Sequence, residues 1–381
     1  MEIVVYSYGD SRDVATWSNV PYLFCRELER RGIIVHRVNI RVESLTSRFV
    51  NSIGFHLFRR LLGLKSSPDF DRTPFYRFIV DRRLKRAARE YPRADFNLFL
   101  SYSFINRYNG KKNVMWCDWP DREVIRRLGR KPAWYEKGWL KYEDRSIRDA
   151  DEVYSMFRVC ADNMRDYYGR DVHHLGINVV NTLYEGAFDP EASARVHYGG
   201  GYVLFVGNHL YKAGAEELIK AVGLLNERGA EFRVKIVGMT ARQIFGDGDV
   251  PLHVDFYGYL RKNDEEQCRL YYDLMLNAKV FVNPTQGWGG YSSTVEAMYY
   301  GCPVIVAPYD DFVADFGTVS DFGAYHSPGG GLDCELDRIL NMSLAEYEAM
   351  SKRAHERVAE YTWENYITRL LDDLRKHGVI A

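Results

Sequence analysis

The stretch that decides the fold runs from Val280 to Met298 and reads VFVNPTQGWGGYSSTVEAM. An apolar run typical of a buried parallel strand comes first, a glycine-rich loop follows, and the last residues favour a helix. The glycines allow close approach to the backbone, while Ser292, Ser293 and Thr294 offer hydroxyl and N–H groups where the helix begins. The loop therefore predicts an anion site suited to a diphosphate.

Glu296 follows one short turn into the same helix. A carboxylate repels phosphate, so its expected target is a pair of hydroxyls such as those of a ribose. The alternative is that an acidic residue near a helix start only complements the helix dipole. The glycine loop and the glutamate occur together, and this favours the ribose interpretation.

A second strand and loop, residues 202–214, read YVLFVGNHLYKAG. The apolar run ends at Gly207, and a polar loop leads into a helix that carries Gly214. Ligands of open α/β sheets bind beyond the carboxyl ends of the strands. His209 and Lys212 therefore lie where an anionic ligand is expected, although a solvated loop lysine is the alternative when this motif is taken alone.

The two halves of the chain repeat one theme of strand, loop, helix and strand, over residues 3–40 and again over residues 202–237. A length of 381 residues suggests about two domains. The sequence predicts an α/β fold with two doubly wound, Rossmann-like domains. The predicted divisions are a first domain at residues 1–181, a linker at 182–201, a second domain at 202–360, and a C-terminal helix at 361–381 that packs back on the first domain.

The second half resembles the nucleotide-sugar domain of GT-B glycosyltransferases, especially glycosyltransferase family 4. The matching stretches are LFVG at 204–207 with Lys212 and Gly214, KIVG at 235–238, VDFYG at 254–258, the segment from Pro284 to Val306, and YTWE at 361–364.

The resemblance implies a GT-B fold whose two domains face a cleft, and transfer from a nucleoside-diphosphate sugar with retention of configuration. Lys212 would contact the diphosphate, and His209 stands near a place where the family often has arginine. Glu296 would bind the ribose. The remaining donor-binding candidates are Gly207, Gly238, Met239, Tyr259, Leu260, Gln286, Gly287, Trp288, Gly289, Gly290, Tyr291, Ser292, Ser293 and Thr294.

One departure from the family concerns the transferred sugar. The family commonly has two glutamates eight positions apart, and Trp288 stands eight positions before Glu296. Gln286 precedes Gly287-Trp288-Gly289, which resembles the family's Glu-Gly-Phe-Gly with glutamine in place of glutamate. The contacts to the donor sugar are therefore expected to differ from those of the family.

The first half is expected to bind the acceptor. The segment NVMWCDWPD at 113–121 resembles a family loop that often shows His-Asp, with Cys117 at the histidine position and Asp118 retained. Asp118 is a catalytic candidate together with Lys212, Glu296 and His209, and its alternative role is a loop cap. The other acceptor-side candidates are Asp10, Ser18 and Asn19, in the loop after the first strand.

Residues 48–93 form a basic stretch, with twelve arginines and lysines against four acidic residues in a chain whose net charge is -1. Apolar residues interleave with the basic ones, and such a segment can lie on an anionic membrane surface or hold an anionic acceptor. The alternative is a solvated helical face with an ordinary core side.

Composition excludes several other classes. The near-neutral total charge argues against a nucleic-acid partner. The six cysteines include no C-x-x-C pair, which predicts free thiols and a cytoplasmic setting. We expect no signal peptide and no membrane span, so the expected location is cytoplasmic, with a peripheral position on a membrane as the open alternative. No metal or further cofactor is expected, because Lys212 and helix starts can neutralise a diphosphate.

The sequence thus predicts a glycosyltransferase that moves a sugar to a hydroxyl of a glycan, a lipid-linked glycan or a protein glycan. Two alternatives stay open. One is a GT-B relative that epimerises or hydrolyses the nucleotide sugar, and product analysis with and without acceptor distinguishes it. The other is a non-catalytic nucleotide-sugar-binding protein, motivated by Trp288, which would bind a donor without consuming it.

Overall fold

A computed structural model describes residues 1–42, 70–286, 291–327 and 329–381. The chain divides into two compact units. The first comprises Met1–Gly176 with Tyr366–Ala381, and the second comprises Ile177–Asn365. Among the described residues, no helix combines the length and the apolar character that a membrane span requires.

The first unit is built on a parallel sheet whose described strands follow the order β2-β1-β3-β4-β5. Residues 3–6 of β1 and all of β3 are buried, which explains why both read as apolar runs. The strands are β1 (Glu2–Ser7), β2 (Ile34–Asn39), β3 (Phe96–Leu100), β4 (Asn113–Cys117) and β5 (Glu152–Ser155). The helices are α1 (Val20–Arg30), α2 (Pro74–Glu90), α3 (Asp121–Arg127), α4 (Lys137–Asp149) and α5 (Arg158–Tyr168).

The second unit has a parallel sheet of order β11-β10-β9-β6-β7-β8. Its strands are β6 (Tyr202–Val206), β7 (Arg233–Val237), β8 (Val254–Gly258), β9 (Val280–Asn283), β10 (Val304–Val306) and β11 (Gly323–Tyr325). Its helices are α6 (Pro190–Tyr198), α7 (Lys212–Glu227), α8 (Ala241–Phe245), α9 (Glu265–Leu276), α10 (Ser292–Tyr299), α11 (Asp310–Phe316), α12 (Leu332–Leu340) and α13 (Leu344–Val358). Helix α14 (Trp363–Lys376) follows. Two doubly wound α/β units are thus confirmed.

The core of the second unit forms where the sheet meets its helices. Val203, Val280 and Val282 contribute side chains that are fully buried, and Leu218 and Val222 of α7 pack among them. Strands β6 and β9 are paired in parallel, with Val203 opposite Val280. Because every pairing in the sheet is parallel, the loops that follow the strands emerge at one edge, and this edge positions the candidate site.

Residues 182–201, predicted as a linker, lie within the second unit and include helix α6. Its helix α6 is held by side chains: Ser193 Oγ donates to Tyr300 O at 2.7 Å. His197 is buried, and its ring nitrogens lie 2.5 Å from Ala278 O and 3.0 Å from Tyr300 O. These contacts explain why the segment folds with the residues that follow it.

The C-terminal residues return to the first unit. Trp116 Nε1 in β4 donates to Tyr366 OH at 2.6 Å, and the two rings are in edge contact. Ile367, Leu370 and Leu374 of α14 are buried as well. One apolar face of α14 therefore completes the core of the first unit.

Candidate functional site

The loops after β6 and β9 meet at the carboxyl edge of the second sheet. These strands are neighbours in the sheet but not in the chain, so the connections diverge between them. Such a switch point opens the crevice in which doubly wound sheets bind ligands. The approach is close, because a Cβ atom on Gly214 would lie 2.3 Å from Thr285 Oγ1. Thr285 Oγ1 is buried and has no hydrogen-bond partner among the described residues.

Lys212 and His209 lie in the connection that follows β6. Lys212 begins helix α7, and its Nζ lies 3.4 Å from Glu216 Oε1. Both of these side chains are more than two-fifths exposed, and such a pair on a helix surface contributes only about 0.3–0.5 kcal/mol. The ammonium can therefore turn to another anion at little cost. His209 is exposed in the short 3₁₀ helix His209–Tyr211.

Glu296 lies one turn into α10 and is only 2% exposed. Tyr271 OH donates to its Oε2 at 2.7 Å, and Lys262 Nζ lies 3.3 Å from its Oε1. Lys262 also lies 4.1 Å from the centroid of the Tyr271 ring. Burial and the nearby carboxylate raise the pKa of Tyr271 well above its usual value, so the phenol remains a donor. The carboxylate is thus held in one orientation before any ligand arrives.

Sequence reasoning missed both of these partners. Lys262 follows β8, so it lies at the same carboxyl edge as the loops after β6 and β9. A basic residue soon after a strand of the sheet was the available signal. Tyr271 offered no signal, because only the packing of α9 brings its hydroxyl to Glu296.

The start of helix α10 is tied to the segment that opens the second unit. Asn181 Nδ2 donates to Ser292 Oγ at 3.1 Å, and Asn178 Nδ2 donates to Tyr291 OH at 3.1 Å. Tyr291 also donates to the Asp315 carboxylate, and its ring is 1% exposed. The side chain of Tyr291 therefore supports the loop from inside the core. Thr294 is likewise buried, whereas Ser293 is half-buried.

Four of the donor-binding candidates follow β7 and β8. Gly238 has a φ of 98°, and a Cβ there would lie 2.5 Å from Gly207 O, so both backbones approach as only glycine permits. Met239 is fully buried in the core and can contribute only its backbone. Tyr259 is 69% exposed, and Leu260 is half-buried.

The loop expected to meet the transferred sugar is described only at its start. Gln286 Nε2 donates to Pro284 O at 3.3 Å and to His326 O at 3.1 Å. The other predicted residues of this loop, Gly287, Trp288, Gly289 and Gly290, lie outside the described residues.

His326, which sequence reasoning did not single out, follows β11 at the same edge. Its side chain is fully buried between two carboxylates, with Nε2 2.8 Å from Glu217 Oε1 and Nδ1 2.9 Å from Glu335 Oε2. The imidazole ties helices α7 and α12 together beneath the loop that carries Gln286.

The acceptor-side candidates lie in two loops of the first unit, one after β1 and one after β4. Asp118 turns back on its own loop, because its Oδ1 accepts from Trp119 N at 2.7 Å and from Cys117 Sγ at 3.2 Å. Burial raises the pKa of Asp118. Asp10 is exposed and its Oδ1 accepts from Arg12 N at 2.9 Å.

The other two acceptor-side candidates lie before helix α1. Ser18 and Asn19 have φ values of 52° and 72°, and Trp17 before them has 41°. Three successive residues other than glycine in this region mark a strained turn, and such strain tends to cluster at functional sites. Asn19 is buried and Ser18 is exposed.

A polar cavity of about 290 Å³ lies at the switch point of the first sheet, beside the loops that follow β1 and β3. The sequence did not predict this cavity, because the strand order β2-β1-β3 in the sheet does not follow from the order of the strands along the chain. Its lining includes Tyr8, Arg72, Ser101, Ser103, Phe104, Asp121 and Trp139.

Charged groups organise the wall of this cavity. Asp121 accepts from Arg72 and from Trp139 Nε1. Behind it, the buried Glu143 accepts from Asp121 N at 2.8 Å and from Ser103 Oγ at 3.1 Å. Burial, together with the Asp121 charge, raises the pKa of Glu143 to about 8.

A larger and more apolar cavity of about 570 Å³ lies elsewhere in the first unit and is lined by residues of α3, α4 and α5. Its rim carries arginines, but these are already paired. Arg122 meets Asp144, Arg126 meets Glu123, and Arg130 meets Glu136. The charges of these three arginines are therefore already balanced.

A family model matches part of the second unit. Residues 200–317 match the family model described as Glycosyl transferases group 1. This range contains the loops after β6, β7, β8, β9 and β10. No curated protein sequence matches the chain.

Solved structures resemble the whole chain at low sequence identity. Sucrose-phosphate synthase from Thermosynechococcus elongatus has a TM-score of 0.67 at 16% identity, covering 99% of this chain and 98% of that chain. WaaG, a glycosyltransferase involved in lipopolysaccharide biosynthesis, has 0.61 at 15%, covering 97% and 98%. The UDP-forming α,α-trehalose-phosphate synthase from Burkholderia vietnamiensis has 0.60 at 11%, covering 99% of each chain.

The chain thus has the GT-B fold and carries a glycosyltransferase domain, and the predicted resemblance to GT-B glycosyltransferases is confirmed. Its matched domain is that of sugar-transferring enzymes.

Proposed function

Because residues 200–317 carry a glycosyltransferase domain, we propose that the chain transfers a sugar from a nucleoside-diphosphate sugar to an acceptor hydroxyl. The transfer retains the anomeric configuration and needs no metal ion. One observation carries the proposal: Gly214, in the first turn of α7 after β6, closely approaches Thr285 in the loop after β9, within the matched residues and at the switch point of the sheet.

Lys212 and the start of α10 hold the donor diphosphate. Lys212 is free to leave Glu216, because the exposed pair between them is weak. The backbone N–H groups at Ser292 and Ser293 add the positive end of a helix. Together, these groups supply the positive charge that a metal ion provides in other enzymes.

Glu296 binds the ribose of the donor. A carboxylate has about four lone-pair directions, of which Tyr271 and Lys262 occupy two or three. At least one remains for a ribose hydroxyl, and rotation of Lys262 away from the carboxylate frees another. Lys262 is 16% exposed at its side chain and can make this movement.

The chemistry is stabilisation of the departing diphosphate. As the bond between the anomeric carbon and the diphosphate breaks, Lys212 and the N–H groups of α10 neutralise the charge that develops on the leaving oxygen. The acceptor hydroxyl attacks from the same face and passes its proton to that oxygen. No enzyme nucleophile takes part, so configuration is retained in a single displacement.

The cavity of the first unit seats a sugar ring of the acceptor. A volume of about 290 Å³ suits one monosaccharide. Trp139 and Phe104 contribute atoms to its wall, and Asp121 offers a carboxylate for sugar hydroxyls. Ser101 Oγ is buried and has no hydrogen-bond partner among the described residues, so it is available to a ligand.

The described part of the basic stretch, helix α2, contacts an anionic membrane surface that carries the acceptor. Phe75 and Phe78 are more than half exposed, and Arg82, Lys85 and Arg86 are exposed at helical spacing along the same face. Cations beside exposed aromatic rings favour an anionic interface. Co-sedimentation with liposomes tests this, and equal binding to neutral and anionic vesicles contradicts it.

The transfer itself is tested with a panel of nucleotide sugars. UDP-sugars come first, because the name of the structurally similar trehalose-phosphate synthase specifies formation of UDP. Binding appears as an increase in thermal stability. NMR of the products, with and without candidate glycan acceptors, then reports transfer and anomeric configuration. Donor consumption that is independent of acceptor indicates a hydrolase and contradicts the proposal.

A further inference from the structure

Two histidines and two carboxylates form a cluster in the first unit, outside the sites described above. Glu152 Oε2 lies 2.9 Å from His173 Nε2 and 3.2 Å from His377 Nδ1. Asp373 lies on the other side of both rings, 3.9 Å from His173 Nδ1 and 3.9 Å from His377 Nε2. All four side chains are about one-fifth exposed, so an ion from solvent can reach them.

The backbone fixes each member of this cluster. Glu152 is the first residue of β5, and His173 pairs with β5 through His173 N to Val153 O at 2.8 Å. His377 follows the last residue of α14, and its N–H donates to Asp373 O at 3.0 Å. The cluster therefore joins the end of α14 to the amino end of β5, at the opposite edge of the sheet from the acceptor cavity.

The geometry is that of ligands around a metal ion. Each imidazole turns one nitrogen to Glu152 and the other toward Asp373. The three inward atoms lie within 4.8 Å of one another. The edge of a tetrahedron with zinc bonds of about 2.0 Å is about 3.3 Å, close to the two distances from Glu152 Oε2. Asp373 lies 3.9 Å from the other nitrogen of each ring, and a shift of about 1 Å would bring it to the hydrogen-bond distance at which an outer carboxylate orients metal-bound histidines.

Other neighbours complete the surroundings of the cluster. The ring centroids of His173 and His377 are 4.5 Å apart. Tyr154 OH, in β5, donates to Asp373 Oδ2 at 2.9 Å. This hydrogen bond fixes the Asp373 carboxylate beside the two rings.

We propose that Glu152, His173 and His377 bind one divalent transition-metal ion of the zinc class, with Asp373 as the outer carboxylate and water as the fourth ligand. Two imidazoles and one carboxylate suit zinc, cobalt and nickel rather than magnesium or calcium. The site is structural, because it ties α14 to the sheet at the edge away from the acceptor cavity. It does not depend on the proposed transfer reaction.

The test uses the untagged full-length protein, stripped with a chelator and titrated with Co²⁺. Four-coordinate Co²⁺ absorbs visible light, so the titration reports geometry as well as stoichiometry. We expect one Co²⁺ per chain and displacement by Zn²⁺. At about one hundred times the dissociation constant, Zn²⁺ should raise the unfolding temperature by about 5 °C or more.

Three variants assign the site. His377→Ala and Glu152→Gln should each weaken Co²⁺ binding at least about tenfold and abolish the four-coordinate spectrum. His36→Ala is the matched control, because His36 pairs with Glu2 at 2.8 Å in the same unit but has no second histidine beside it. His377 lies near the end of the chain, and circular dichroism checks that its variant folds. An unmodified protein that binds no stoichiometric Co²⁺, or a His377→Ala or Glu152→Gln variant that binds as well as wild type, overturns the proposal.

Discussion

Replacing Glu296 by glutamine should weaken donor binding more than it lowers the free energy of unfolding. The amide keeps the shape of the side chain but loses the charge that Tyr271 and Lys262 surround. A hydrogen bond to a charged group contributes about 1.5–3 kcal/mol and a neutral one about 0.5–1.5 kcal/mol. Two ribose hydroxyls should therefore lose about 2 kcal/mol of binding in total. This loss corresponds to an increase of about thirty-fold in the dissociation constant of the nucleotide.

The stability of the Glu296→Gln variant should change less than its affinity. Removing one partner of a buried ion pair costs about 3–5 kcal/mol when the other charge is trapped. Lys262 is partly exposed and can reach water, so we expect about 1–2 kcal/mol. Glu27→Gln is the matched control in the first unit, because Glu27 is also buried and is paired with Arg31 and Arg30 at 3.0 and 3.4 Å. It should lose similar stability and no donor affinity.

Calorimetry with a nucleoside diphosphate and its 2′-deoxy analogue provides the decisive measurement. The wild-type protein should prefer the ribose form, and Glu296→Gln should lose most of that preference because the hydroxyl has lost its charged acceptor. Urea unfolding of the same samples gives the stability change. A wild-type protein that binds both nucleotides equally, or a variant that keeps the full preference, refutes the assignment of Glu296 to the ribose.

Three further substitutions extend these predictions. Lys212→Ala should lower the rate of diphosphate release by about 100-fold or more, because the ammonium that neutralises the leaving diphosphate is removed. Lys220→Ala, on the exposed side of the same helix, is the control and should leave the rate unchanged. Equal rates in the two variants would exclude this role of Lys212. Gly214→Ala should weaken donor binding and lower the free energy of unfolding in urea by about 1–3 kcal/mol, because the added Cβ would collide with Thr285 in the loop after β9. Gly223→Ala is the control, because its Cβ would make only ordinary contacts, and its stability should be unchanged or increased. A Gly214→Ala variant of unchanged stability would contradict the close approach. The raised pKa of Glu143 keeps it protonated in the folded state between about pH 4.5 and 8, where an unfolded glutamate is ionised, so the free energy of unfolding should fall across that range by up to about 1.4 kcal/mol per pH unit. Glu143→Gln should flatten this slope in urea titrations, and an unchanged slope refutes it.

The sequence predicted the second unit better than the first because its site is local. The loop from Gly207 to Lys212 follows β6, and the loop after β9 leads to the helix that begins at Ser292. Parallel strands bring such loops to one edge of the sheet. The pattern therefore located Glu296 without any knowledge of tertiary contacts. The pattern could not predict that Lys262 and Tyr271 contact the Glu296 carboxylate, because they lie 34 and 25 residues earlier in the chain.

The first unit was less predictable because its cavity depends on sheet order. Strand β1 lies beside β3, and this neighbourhood brings Tyr8 close to Ser101 and Ser103. Nothing in the local pattern at Asp118 indicated that its carboxylate would accept from its own loop. The left-handed turn before α1 is equally hidden, since Trp17 has no intrinsic preference for it.

The return of the chain to the first unit has a consequence for the order in which the protein is made. Residues 177–365 are continuous, so the second unit can fold as soon as the ribosome has released them. The first unit cannot complete its core before residues 366–381 have been synthesised. Until then, the apolar surface that buries Tyr366 and Leu370 is exposed to water. The part synthesised first is thus completed last. A nascent chain stalled before residue 366 should bind chaperones that cover apolar surface. These chaperones should dissociate once residues 366–381 have left the ribosome and packed on the first unit.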